Sequence, residues 1–161
     1  MAFRLTSKDF KEGDVLPQAQ VFNGMGHSGG NLSPQLQWDG VPEGTQSFVV
    51  TCYDPDAPTG SGWWHWVVAD IPGMARELPQ GAGSGGAALP TGALQTRTDF
   101  GPPGYGGAAP PPGAPHRYIF TVNALKIPSI RVNADVSAAY VGFNVHFNSL
   151  GSASLTATSP G

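Results

Sequence analysis

Ser47-Phe48-Val49-Val50-Thr51-Cys52-Tyr53, closed by Asp54-Pro55-Asp56-Ala57-Pro58 and followed by Trp63-Trp64-His65-Trp66-Val67-Val68-Ala69, is the stretch from which the fold is read. The first seven residues form a short apolar run ending at an Asp-Pro turn dipeptide, the pattern of a strand and its exit. The second run is apolar apart from His65, as in a strand buried on both faces. Two strands joined by a stiff, proline-containing excursion are expected.

Outward from this pair the β signals continue. Arg117-Tyr118-Ile119-Phe120-Thr121-Val122-Asn123-Ala124-Leu125 is β-branched and aromatic. Ser152-Ala153-Ser154-Leu155-Thr156-Ala157-Thr158 alternates small or apolar residues with hydroxyls, as a half-exposed strand does. Leu36, Trp38 and Val41 precede Pro42-Glu43-Gly44, the end of a strand or hairpin. One helix is predicted, from Ser137 to Leu150. Tyr140, Phe143, Phe147 and Leu150 fall on one helical stripe, which is expected to face the core. Asp135 stands at the expected N-cap and Gly151 at the expected C′ position. Gly142 within the helix calls for a packing reason, because glycine is a poor helix former. The fold class is all-β with one principal helix.

Length and composition narrow the function. The 161 residues suit a single domain, 1–161. A net charge of −3 excludes a nucleic-acid binder driven by a basic face. Cys52 is the one cysteine, so an internal disulfide is impossible. No apolar run is long enough to span a membrane, and Met1–Phe10 lacks the apolar core of a signal peptide, so a cytoplasmic location is expected. Glycine and proline are concentrated: Gly81–Pro115 holds 10 Gly and 7 Pro in 35 positions. A loop of that length inside a compact domain is usually functional or disordered.

Four features stand apart from the core pattern. Asp54 and Asp56 are held in an extended, stiff segment by the prolines between and after them, although an Asx-type turn capping a strand explains such a pair equally well. His65 is a lone polar residue in an apolar run, either a core histidine bonded to backbone or a pocket residue returned beside Asp54 and Asp56. His116 and Tyr118 share one strand face while Arg117 points to the other, free to pair with a carboxylate. The loop Tyr105–Pro115, with Pro110, Pro111 and Pro112, combines glycines that admit close approach to a ligand with prolines that fix its path.

Taken together these residues carry a resemblance. Asp54-Pro55-Asp56-Ala57-Pro58 with Trp63-Trp64-His65 is similar to the D-P-D-x-P and W-x-H signature of the phosphatidylethanolamine-binding protein family, also called Raf kinase inhibitor-like proteins. Ala109-Pro110-Pro111-Pro112-Gly113 leading into His116-Arg117-Tyr118 resembles the second signature, with Ala109 where glycine is usual. Asn31-Leu32-Ser33-Pro34-Gln35-Leu36-Gln37-Trp38 resembles the family's N-x-S-P-x-L-x-W segment. Ala139–Phe147 resembles the C-terminal helix of the bacterial branch. The chain stops soon after Leu155, so a pocket more open than in eukaryotic members is expected.

The resemblance implies an antiparallel Greek-key β-sandwich of two sheets with a few peripheral helices. It also implies a small anion pocket of Asp54, Asp56, His65, His116 and Tyr118, with Pro110 and Pro111 on its wall. The implied ligands are a phosphate-like anion or a phosphoethanolamine headgroup, and the implied partners a kinase or another regulatory protein. No cofactor, metal or catalytic residue is implied. Homodimers occur in the bacterial branch, and Trp63 or Trp66 is a candidate contributor to such a surface. In the expected pocket, carboxylates orient both imidazoles so that each donates to the anion. Tyr118 and backbone N–H groups of Ala108–Gly113 supply further donors. Two rival classes remain. One is a metal-dependent hydrolase using the His and Asp residues; the other is an interaction protein presenting its proline-rich loop.

Overall fold

A computed structural model describes residues 1–161. Eight strands form two antiparallel sheets. The smaller contains β1 (Arg4–Thr6), β2 (Leu36–Asp39) and β5 (Glu77–Leu78), with β2 in the middle. The larger has the order β6-β4-β3-β7-β8, from β3 (Ser47–Asp54), β4 (Trp63–Pro72), β6 (Leu94–Gln95), β7 (His116–Leu125) and β8 (Ser149–Ser159). The single α-helix, α1 (Ala138–Asn148), joins β7 to β8.

Alternation along the central strands builds the sandwich. Phe48, Val50 and Cys52 of β3 point inward with Tyr118, Phe120 and Val122 of β7, and with Trp66 and Val68 of β4. They meet Leu5, Leu36, Trp38 and Leu78 of the smaller sheet in one core, where the Trp38 and Phe48 rings lie 5.3 Å apart. Residues of opposite parity are also buried where α1 lies across the outer face: Val49, Val67, Ala69 and Leu125 pack with Ile130 and Val141. Coverage on both faces explains why β3 and β4 read as nearly continuous apolar runs.

The helix departs from its expected orientation. Tyr140, Phe143 and Phe147 are 53%, 64% and 60% exposed, and Leu150 is exposed as well. The buried side is instead Val141, with Ala138 and Val145 packed beside it. Both stripes have helical spacing, so periodicity alone does not choose between them. The slimmer one lets the helix approach the sheet closely, and the aromatic one is left outside. The N-cap is Ser137 rather than Asp135, its hydroxyl accepting from the Tyr140 N–H at 3.1 Å. Gly151 caps nothing: the chain passes straight from Asn148 into β8, where Gly151 pairs with Ala124. A Cβ on Gly142 would meet no atom within 4 Å, so no packing reason exists there.

Residues 81–115 are folded onto the core rather than loose. Tyr105 and Ala108 are buried in the main core, and the Tyr105 hydroxyl donates to the Gln20 carbonyl at 2.7 Å. The Asn31-Leu32-Ser33-Pro34 segment pins this region from the other side. Asn31 Oδ1 accepts from the Gly107 N–H at 2.8 Å, and Ser33 Oγ from the Gly83 N–H at 2.7 Å. Trp66 is fully buried, its indole donating to Gln95, and therefore contributes to no external surface. No helix is long and apolar enough to cross a membrane.

Candidate functional site

Sheet order assembles the site. β3 lies between β4 and β7 and runs antiparallel to both, so its C-terminal end meets the N-terminal ends of its two neighbours. Asp54 pairs in register with Trp63, and Tyr53 with Ile119. The last residue of β3 is thereby placed beside His65 on one side and His116 and Tyr118 on the other. These side chains open into a cavity of about 190 Å³. Its wall is completed by Trp63, Phe100, Ala109, Pro110 and Pro111, with Met25 and Thr59 also lining it.

Asp54 is 2% exposed and uses both oxygens. Oδ1 accepts the Asp56 N–H at 2.7 Å, an Asx turn, and Oδ2 accepts from His116 Nδ1 at 2.7 Å. The two explanations of this aspartate therefore hold together: the turn fixes the carboxylate that fixes the imidazole. With Nδ1 donating to Asp54, His116 Nε2 has no protein partner and is left for a ligand, to which it donates when the ring is charged.

Asp56 lies outside the cavity. Its carboxylate grips Arg117 on the opposite strand face, accepting from the backbone N–H at 2.8 Å, Nε at 3.0 Å and Nη2 at 2.9 Å. The fork holds Asp56 at a pKa of about 2, with the side-chain hydrogen bond to Arg117 as the largest cause. Asp56 is thus a clamp between the β3 exit and the β7 start, and not a residue of the pocket as the resemblance implied.

His65 differs from His116 in the same way that their partners differ. Its Nδ1 donates to the Gly106 carbonyl at 2.8 Å, and the Gly106 N–H returns a bond to the His65 carbonyl at 3.0 Å. Rings surround it: Phe100 and Tyr118 stand edge-on at 5.3 and 5.1 Å. Burial pushes its pKa down, outweighing the Gly106 carbonyl and the Asp54 carboxylate, which act the other way. A ring kept neutral with Nδ1 protonated presents a lone pair at Nε2, so burial works against the expectation that both histidines donate to an anion. The glycine is required here, because a Cβ on Gly106 would come within 2.3 Å of the Phe100 ring.

Tyr118 is 1% exposed, and burial followed by the Asp54 charge pushes its phenol well above the usual range, keeping it protonated. Its hydroxyl, which lies close to the Asp54 carboxylate, and the Trp63 indole N–H are buried without a fully formed hydrogen bond. The expected row of backbone donors across Ala108–Gly113 is broken at its centre, since Pro110, Pro111 and Pro112 carry no N–H. Pro110 and Pro111 supply apolar wall instead. Phe100 belongs to no motif, and Trp63, part of the first signature, lines the cavity although it was expected at a dimer surface. Phe100 had a signal: it and Tyr105 are the only aromatic residues in the Gly/Pro-rich segment 81–115.

No group of three or more His, Cys, Asp or Glu side chains is placed to hold a metal ion. Cys52 is buried in the core, and desolvation raises its thiol pKa well above the ordinary value, the opposite of an activated nucleophile.

The sequence profile of the phosphatidylethanolamine-binding protein family matches residues 6–159. YbhB of Escherichia coli K12 is 66% identical over 154 residues, which cover 96% of this chain and 98% of that protein. The crystal structure of E. coli YbcL, described as a new member of the mammalian family of these proteins, superposes with a TM-score of 0.95 at 52% identity, covering 98% of both chains. A phosphatidylethanolamine-binding protein from Plasmodium vivax shares the fold, with a TM-score of 0.61 at 18% identity over 99% of this chain and 86% of its own. With Asp54, His65, His116 and Tyr118 assembled at one cavity and the profile running over nearly its whole length, the chain belongs to the phosphatidylethanolamine-binding protein family.

Proposed function

We propose that this protein is a non-catalytic binding module whose cavity holds a small phosphate-like group, free or as a phosphoethanolamine headgroup. The observation that carries the reading is the set of unused polar groups on one cavity wall. His116 Nε2 is oriented by Asp54 but unpartnered, and the Tyr118 hydroxyl and Trp63 indole N–H are buried without a fully formed hydrogen bond. Leaving a buried donor unsatisfied costs about 1–3 kcal/mol, and a ligand oxygen recovers it. Apolar surface from Phe100, Pro110 and Pro111 suits the substituent of such a ligand.

A regulatory role belongs to the same proposal: a kinase or another regulatory protein would meet the exposed rim formed by Pro111 and Met25. The hydrolase alternative has no support in the donor arrangement, which lacks a three-ligand cluster and an activated nucleophile. The test is a calorimetric titration of inorganic phosphate into the wild type and His116→Ala. Binding by the wild type, lost in a variant that keeps its far-UV spectrum, is the expected result. Equal binding by both proteins would remove His116 from the site and the reading with it.

A further inference from the structure

The C-terminal strand leaves an open edge. β7 lies along the whole length of β8 on one side, but the other side is covered only in part. The Thr158 N–H donates to the Asp14 carbonyl at 3.0 Å, and its carbonyl accepts from the Leu16 N–H at 2.7 Å. The Thr156 carbonyl accepts from the Gly13 N–H at 2.8 Å, while the Thr156 N–H is met only by the Glu12 carboxylate, at 3.0 Å. Thr156 and Thr158 therefore turn their backbone groups outward, and by alternation so do Ser154 and Ser152 before them. Both serines are exposed, and their N–H and carbonyl groups bond to no protein group. Edges of this kind are normally blunted by charge or proline. Ser149–Ser159 contains neither.

Beside that edge the sandwich is open. Between β1 and β8 lies a cavity of about 370 Å³, lined by Phe3, Leu5, Phe10, Ala153 and Leu155 among others. A strand laid along Ser152–Ser154 would turn every second side chain into it, opposite Ala153 and Leu155, because alternate residues of a strand share one face. The cavity is also of opposite charge to the chain. Its lining carries Arg4 and Lys11 against Glu12 alone, on a protein of net charge −3. Arg4 is matched by Asp39 at 3.6 Å, whereas no carboxylate pairs with the Lys11 ammonium.

We propose that the open edge of β8 binds an extended, acidic segment of a partner protein, which joins the larger sheet as an added strand, buries alternate apolar side chains between β1 and β8 and sets a carboxylate against Lys11. Only an extended backbone offers donors and acceptors at the spacing of Ser152 and Ser154, which selects a peptide over a small molecule or a lipid surface. A second copy of this chain would offer its own β8 edge, which has no acidic residue and leaves Lys11 unmatched. The surface shares no residue with the anion cavity, so the two sites are tested separately.

The probe is a short synthetic peptide of alternating valine and threonine with one glutamate near its end, titrated into the full chain and followed by fluorescence anisotropy and amide NMR. Binding is expected, with the largest amide shifts at Ser152 and Ser154. Ser152→Pro deletes an outward N–H that β7 does not use and should weaken binding about ten-fold. N-methylation of the peptide reads the same contact on the unaltered protein: one set of alternate amides abolishes binding when methylated, and the other set leaves it. Replacing the glutamate by lysine should weaken binding about three-fold, and Lys11→Glu should reverse that preference. Equal binding by Ser152→Pro and the wild type, or of the two N-methylated peptides, overturns the proposal. So does the absence of binding at about 1 mM peptide. Equal binding of the glutamate and lysine peptides overturns the acidic partner. A wild type that sediments as a dimer, with Ser152→Pro a monomer, assigns the edge to a second copy and overturns the proposal as well. None of these results bears on phosphate binding in the cavity.

Discussion

Asp54 joins fold and site through its two oxygens. One closes the turn at the end of β3 and the other holds the imidazole of His116 at 2.7 Å. Asp54→Asn keeps the shape and the turn acceptor but sets an amide N–H, a donor, where the charged Oδ2 accepted from His116 Nδ1. Phosphate affinity should drop about ten-fold at pH 6 in a calorimetric titration, because the charged ring that donates from Nε2 loses its counter-charge. An unchanged or improved affinity would mean that the carboxylate chiefly repels the ligand. Asp56 does different work, and its test is stability. Its carboxyl sits at about 2 against an ordinary 3.8, so the Arg117 clamp stabilises the fold above pH 4 and is lost as pH falls from about 4 to 2. Asp56→Asn should unfold at lower urea than the wild type at pH 6, with the gap closing by pH 2. A gap that persists at pH 2 would show that the difference does not come from this ion pair. Motif order in the sequence indicated that both aspartates matter. It could not separate them, because adjacent turn residues point in directions that only the register of β3 against β7 decides.

At the scale of elements, α1 offers two substitutions of opposite sign. Ser137→Ala removes the N-cap acceptor for the Tyr140 N–H and should cost about 1 kcal/mol in urea unfolding. Gly142→Ala adds a methyl where nothing lies within 4 Å and should stabilise by about 0.5–1 kcal/mol. Destabilisation by Gly142→Ala would mean that this position is packed after all. The existence of this helix was legible, but its rotation was not. Val141 and Val145 form a second apolar stripe beside Tyr140, Phe143 and Phe147, and the choice between them depends on what the sheet presents. That surface is set by Val49, Val67 and Ala69, far away in sequence. The central strands were legible almost residue for residue, since alternation and burial on both faces leave a dense local pattern in Ser47–Asp54 and His116–Leu125.

On the scale of the whole molecule, Cys52 reports the integrity of the sandwich. It is 1% exposed between the sheets, and burial raises its thiol pKa. A thiol reagent at pH 8 should modify the native protein only as fast as it opens globally, with labelling accelerating sharply near the urea midpoint. Rapid stoichiometric labelling in buffer would contradict the packed core. The long Gly/Pro-rich segment is where sequence reasoning stopped at this scale. Its order comes from distant partners, Asn31 and Ser33 on one side and His65 on the other, through backbone groups that leave no trace in composition. The ligand site depends on that order, because the Gly106 carbonyl sets which nitrogen His65 presents. The most direct measurement is a crystal structure of the wild-type protein soaked in phosphate near pH 5.5. Tetrahedral density is expected in the cavity within hydrogen-bond reach of His116 Nε2, the Tyr118 hydroxyl and His65 Nε2. A cavity holding only water, with phosphate bound elsewhere, would contradict it.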